Sequence, residues 1–128
     1  MHRFKDLEIW KFSREFCTNI YSVTSSFPDF EKFGLTNQLR RASVSIPANI
    51  AEGCSRSSNK DFARFLEIAI GSAYEVETHL LIASDLGFLK SDDLNLLIIK
   101  LERIVKMTAK FRSTLIYTIE QSKNPTIL

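Results

Sequence analysis

Long apolar runs are missing from this chain: no stretch approaches the ~20 consecutive apolar residues that a membrane-spanning helix needs. Met1-His2-Arg3-Phe4-Lys5-Asp6 places charges where the apolar run of a secretory leader would stand, so it is not expected to act as one. The expectation is a cytoplasmic protein with no membrane partner. Glycine is scarce, and Gly34, Gly53, Gly71 and Gly87 are too scattered to form a phosphate-cradling loop. Histidine is scarcer, with His2 at a mobile terminus and His79 alone in a helical stretch. A metal site needs several converging ligands, and a di-iron bundle needs Glu-x-x-His on paired helices. Glu75 and His79 stand four apart, with no second pair of the kind. No Ser/His/Asp set assembles with any specificity. Cys17 and Cys54 are too few for a disulfide framework and fit reduced thiols in a core. The chain is therefore expected not to be an enzyme, and to use no metal, no cofactor and no evident small-molecule substrate.

What is present is the composition of a soluble globular protein, with 45% hydrophobic and 25% charged residues. A length of 128 residues suits one domain, 1–128, that buries a core but does not divide in two. The formal charge of +2 is small but unevenly placed, because residues 1–64 carry ten Lys/Arg against seven Asp/Glu and residues 65–128 carry seven against eight. Arg40, Arg41, Arg56, Lys60 and Arg64 supply most of the excess. Such a cluster suits phosphate contact; a solvated or salt-bridged helix face suits the same residues.

Helical periodicity runs through the whole chain. Leu7, Trp10, Phe16/Cys17, Ile20/Tyr21 and Phe27 recur at helical spacing and predict a first helix over about 5–27. Pro28 ends it, since it bars the preceding residue from the helical region. A second helix is predicted over about 30–53, with Thr36 as a candidate cap and Gly53 as the C-terminal stop. The third, about 59–86, is capped by Ser58 or Asn59, carries Asp61 in its first turn and ends at Gly87. Its Ala69, Gly71, Ser72 and Ala73 permit close approach of a neighbour. The fourth, about 91–121, opens with Ser91-Asp92-Asp93 as cap and first turn, and Asn124-Pro125 closes it. Short connections force neighbouring helices antiparallel, so the fold class is all-α, an up-down-up-down four-helix bundle. Ile9, Phe12, Phe16, Ile20 and Val23 on the first helix, with Leu96 and Ile99 on the fourth, form extra apolar lines. A helix apolar on more than one side has more neighbours than one bundle provides, which predicts a homo-oligomer.

The least ordinary stretch is Gln38 to Gly53. Gln38, Arg41, Ser45, Ala48 and Glu52 form one helical line, Leu39, Ala42, Ile46, Ile50 and Gly53 another, and Asn49 follows Ser45 by one turn. Polar side chains so placed pair with one another or with facing acids such as Glu67, Glu75 and Glu77. Pro47 removes the hydrogen bond to the carbonyl of Ser43, at a cost of ~3 kcal/mol unless compensated. The expectation is a kink there, with the Ser43 or Ser45 hydroxyl helping to satisfy the freed groups; a helix break near Ile46 is the competing reading.

Several segments together carry a resemblance. They are Phe4-x-Asp6-Leu7-x-Ile9-Trp10, Tyr21, Phe27-Pro28, Phe33-Gly34-Leu35-Thr36-x-Gln38-Leu39-Arg40-Arg41-Ala42, Ser45-Ile46-Pro47-x-Asn49-Ile50-Ala51-Glu52-Gly53 and Gly71-Ser72-x-x-Glu75. In this order, over nearly the whole chain, they resemble the four-helix bundle proteins encoded in 23S rRNA intervening sequences. The resemblance implies a cytoplasmic bacterial bundle assembled as a ring, commonly a pentamer. That family is in turn similar to the accessory variability proteins of diversity-generating retroelements, whose basic pentamers engage nucleic acid and a reverse transcriptase. No catalytic residues come with the resemblance. Two readings follow. In the first, an oligomeric module contacts RNA, or a ribonucleoprotein partner, through Arg40, Arg41, Arg56, Lys60 and Arg64. In the second, a structural protein-interaction ring pairs the same arginines with Glu52, Glu67 or Glu75. Under both, Gln38, Ser45, Pro47, Asn49, Glu52, Gly53 and Glu75 form a polar motif that shapes the bundle.

Overall fold

The computed structural model describes residues 2–123, which contain four α-helices, two single 3₁₀ turns and no strand. The turn Phe4–Asp6 precedes α1 (Glu8–Thr24), and the turn Asp29–Glu31 precedes α2 (Leu35–Cys54); α3 spans Asn59–Asp85 and α4 Ser91–Lys123. The proposed stop at Asn124-Pro125 lies outside the described residues. None of the described helices is long and apolar enough to cross a membrane.

The helix ends follow local chemistry. Before α2, the Leu35 amide donates to the Glu31 carboxylate at 2.8 Å. This carboxylate, not Thr36, caps the helix; Thr36 is buried inside the first turn. Gly34 makes room for it, since a Cβ there would sit 2.7 Å from Glu31 Oε2. Ser58 caps α3 by accepting the Asp61 amide at 3.1 Å. At the other end of α3, Gly87 adopts φ 78°. Its amide donates to Ser84, and the Phe88 amide to Ala83, the two bonds of a Schellman ending. Gly53 is different from the expected stop: it lies inside α2, buried, and has no positive φ. A Cβ there would meet the Phe62 ring at 2.7 Å and Phe65 Cβ at 2.9 Å, so glycine is needed for α3 to approach. Gly71, in contrast, faces open space and takes no part in close packing.

The core is one cluster drawn from all four helices, with Phe16, Ile20, Leu39, Ile46, Ile50, Leu66, Val76, Leu80 and Leu101 fully buried. α2 packs against α1 and α3, and α4 against α3 and α1. Polar ties join each pair: Cys17 to Ser43, Ser45 to Ser72, Glu67 to Arg112 and Asn19 to Lys100. The second apolar line of α1 is largely absorbed here, because Ile9, Phe16 and Ile20 are buried and Phe12 and Val23 pack against the core. On α4 the line stays outside, with Leu96 55% and Ile99 65% exposed.

Candidate nucleic-acid interface

α2 runs unbroken through Pro47, and the competing break near Ile46 is not observed. The ring of Pro47 leaves the Ser43 carbonyl without its helical donor. The Cys17 thiol of α1 supplies one instead, donating to that carbonyl at 3.1 Å. Neither serine hydroxyl does this work: Ser43 Oγ donates to the Arg40 carbonyl at 2.9 Å, and Ser45 Oγ lies 2.8 Å from Ser72 Oγ on α3. Burial pushes the Cys17 thiol up from its ordinary value, although its hydrogen bonds act the other way, so it holds its proton and remains a donor. Burial also raises Cys54. Both cysteines are free. Asn49 donates to the Ser45 carbonyl and hydroxyl at 2.8 and 2.9 Å, which ties Ser45 between two helices.

The five basic residues do not form one surface. Arg40 and Arg41 stand ~20 Å along the axis of α2 from its end at Cys54, beyond which Arg56 lies, at 1.5 Å per residue. Arg40 is turned inward: its Nε donates to Thr24 Oγ1 at 2.9 Å, and its guanidinium lies 4.6 Å from the Tyr21 ring centre. It thus neutralises the C-terminal end of α1, where the carbonyl dipoles favour a cation. Arg41 is exposed, and among the described residues it has no ion-pair or hydrogen-bonding partner. It lines a cleft with Phe33, Asn37, Gln38, Ser45 and Glu75.

Arg56, Lys60 and Arg64 gather at the α2–α3 corner. Arg56 and Arg64 lie 4.6 and 4.9 Å from the ring centre of Phe65, which is itself buried. Each also has an acid: Arg56 meets Glu52 at 3.0 Å and Arg64 meets Asp61 at 3.9 Å. Lys60 is exposed without a partner among the described residues. Exposed ion pairs of this kind contribute only ~0.2 to 1 kcal/mol, so they do not withhold the guanidinium groups from a polyanion. The N-terminal segment adds charge, because Arg3 and Lys5 line a cleft with His2, Cys54 and Ser55. His2 is not loose: its ring lies edge-on to Phe62 and Phe111 at 5.5 and 5.2 Å.

The acids expected to face α2 behave differently. Glu67 bonds Arg112 of α4 at 3.2 Å, and Glu75 pairs with His79 one turn away at 3.4 Å. Among the described residues no group of three or more His, Cys, Asp or Glu side chains is placed to hold a metal ion. Cys17, Ser72 and Phe65 were not singled out from the sequence as partners of the motif or the arginines. Only Phe65, one residue from Arg64, had a local signal.

Residues 5–110 match the family model described as 23S rRNA-intervening sequence protein. No curated protein matches the chain. A solved structure from Bacteroides thetaiotaomicron, described as a protein of unknown function from the S23 ribosomal protein family, shares the fold with a TM-score of 0.76 and 24% identity over 81% of this chain and 97% of that one. With the motif and the four-helix core in place, the match over residues 5–110 establishes that this chain belongs to the 23S rRNA-intervening sequence protein family.

Proposed function

We propose that the protein is a non-enzymatic RNA-binding module, working in the cytoplasm as a ring-shaped homo-oligomer, with a pentamer favoured, of up-down-up-down bundles. The observation that carries the RNA reading is the α2–α3 corner, where Arg56 and Arg64 flank Phe65 beside the unpartnered Lys60. Contact with the ring orders two guanidinium groups at a modest entropic cost, and each keeps N–H donors beyond the one that meets Glu52 or Asp61. Arg3 and Lys5 extend the positive surface past Ser55. Contacts of this type bind phosphate without reading sequence.

The antiparallel order is supported by the polar ties: Ser45 meets Ser72 while Gln38 and Glu75 share a cleft, so α2 and α3 run opposite ways. Arg112 on Glu67 and Lys106 beside Tyr74 do the same for α3 and α4. Assembly is supported by the exposed Leu96 and Ile99 and by the ring form that the resemblance implies. The alternative, a structural protein-interaction ring without nucleic acid, is favoured by one observation, that Arg40, Arg56 and Arg64 all have partners within the chain.

Titration of a ribosomal RNA fragment against salt separates the two. Three cations per protomer predict a log–log slope of roughly −2 to −3 per protomer engaged, reduced by about 1 in Lys60→Ala. Affinity no better than that of a neutral control protein sinks the RNA reading. Sedimentation that finds only a 14.7 kDa species refutes the ring.

A further inference from the structure

The cleft between the start of α2 and the middle of α3 lies apart from the basic corner. It measures about 480 Å³, and Phe33, Asn37, Gln38, Arg41, Ser45 and Glu75 line it. Its floor is fixed and its rim is not. At the floor, Ser45 is held by Ser72 on one side and Asn49 on the other. At the rim, the side chains of Asn37, Gln38 and Arg41 have no partner among the described residues, and Phe33, at 87%, is the most exposed of the large apolar side chains described. Glu75 pairs with His79 at 3.4 Å and not with Arg41, so the guanidinium keeps all its donors. Apart from the Lys32 ammonium 5.6 Å from its centre, the Phe33 ring is open, and it stands beside two amides and a guanidinium that have no partner among the described residues.

We propose that this cleft binds an unpaired nucleotide of a single-stranded RNA, its base stacked on Phe33, its hydrogen-bonding edge met by Asn37 and Gln38, and its phosphate held by Arg41. Each part answers one part of the ligand. Every base has a π face that an aromatic ring can stack on. Asn and Gln amides carry both donors and acceptors, which suits the mixed edge of an unpaired base. A guanidinium fits phosphate oxygens two at a time. Asn37 and Arg41 stand one turn apart on α2, and Phe33, in the turn just before that helix, lines the same cleft. A duplex offers Arg41 a phosphate but keeps its bases stacked and paired, away from Phe33, Asn37 and Gln38. The site extends RNA binding to a second surface, and it stands or falls separately from the Arg56 corner.

The test is a titration of a single-stranded RNA oligonucleotide carrying 2-aminopurine, whose fluorescence is quenched on stacking, with AMP as a competitor. Wild type is expected to quench the probe. Phe33→Ala should lose the quenching and weaken binding by about 5- to 150-fold, the range for one base–aromatic stack. Phe33→Trp should restore both. Phe30→Ala, which removes another highly exposed ring, should leave the quenching unchanged. Competition by AMP with the same Phe33 dependence assigns the cleft to a free nucleotide; its failure assigns it to a strand, and either result supports a nucleotide site. The proposal is overturned if wild type quenches neither way, or if Phe33→Ala binds and quenches as wild type does. It is also overturned if Phe33→Ala converts an oligomer to monomer with quenching intact, since the face would then be an interface between copies. Loss of structured-RNA binding in Arg56, Lys60 and Arg64 variants bears only on the corner.

Discussion

The pairing of Cys17 with the carbonyl that Pro47 frees makes a quantitative claim about two residues thirty positions apart. In the native chain the Ser43 carbonyl, in a fully buried residue, has the Cys17 thiol as donor at 3.1 Å. Cys17→Ala removes that donor and leaves the carbonyl short of a partner, a cost of ~1 kcal/mol at the low end of the range for an unsatisfied buried group, because a thiol is a weak donor. Loss of the half-buried sulfur's packing adds roughly another 1 kcal/mol. The total is ~2 kcal/mol. Pro47→Ala changes the sum: residue 47 regains an N–H that can reach Ser43, so removing Cys17 in that background should cost only the packing, ~1 kcal/mol. The coupling in a double-mutant cycle is therefore expected at ~1 kcal/mol. Urea unfolding of the four proteins, at one fixed protomer concentration, measures it. Cys17→Ser, which keeps a hydroxyl donor, should recover much of the loss. If Cys17→Ala costs the same in both backgrounds within ~0.3 kcal/mol, the thiol is not compensating for the proline and the reasoning fails.

Three further outcomes are expected. Thr108 is buried with a hydroxyl that finds no partner among the described residues, so Thr108→Val should raise stability by ~1 kcal/mol in the same assay, and a loss would mean the hydroxyl is satisfied after all. Gly53→Ala should destabilise by ~1 to 2 kcal/mol, overpacking against Phe62 and Phe65 outweighing the helix propensity gained, whereas Gly71→Ala, in open space, should stabilise by up to ~1 kcal/mol. Equal effects at the two glycines would refute the packing account. Both thiols have raised native values, so the folded chain holds their protons longer than the unfolded chain; stability is expected to be intact below about pH 9.0 and to fall as pH rises above it. Thermal melts of Cys17→Ser across that range should show a shallower fall, and an unchanged slope would place the loss elsewhere.

Much of the architecture was legible before any tertiary contact was known. The stripe of Phe62, Leu66, Ala69, Ala73, Val76 and Leu80 has the 3.6-residue period of a helix and became one buried side of α3. Gly87 and Ser58 end and begin that helix by backbone chemistry that is local to a few residues. Thr36 was misread because a better cap, Glu31, reaches back across Gly34, and cap propensity alone does not rank a side chain outside the helix. Gly53 was misread because glycine after an apolar run serves equally as a stop or as a point of close approach; the rings of Phe62 and Phe65 decide between them. The basic cluster was legible only as a count of charges. Arg40 and Arg41 are adjacent in sequence, yet 100° apart on a helix, so one turns to the end of α1 and the other to solvent.

Periodicity, caps and breakers act over one or two turns, so the helices and the class of fold follow from the order of residues alone. It also marked the family through the Gln38 to Gly53 segment, whose proline and polar residues demand compensation wherever they occur. Where that compensation comes from is set by packing: a thiol on α1 reaches the Ser43 carbonyl, and Ser72 on α3 meets Ser45. It alone decided which cations are free. Partner choice depends on distances between residues 16 to 45 positions apart, and no local rule of spacing carries that information.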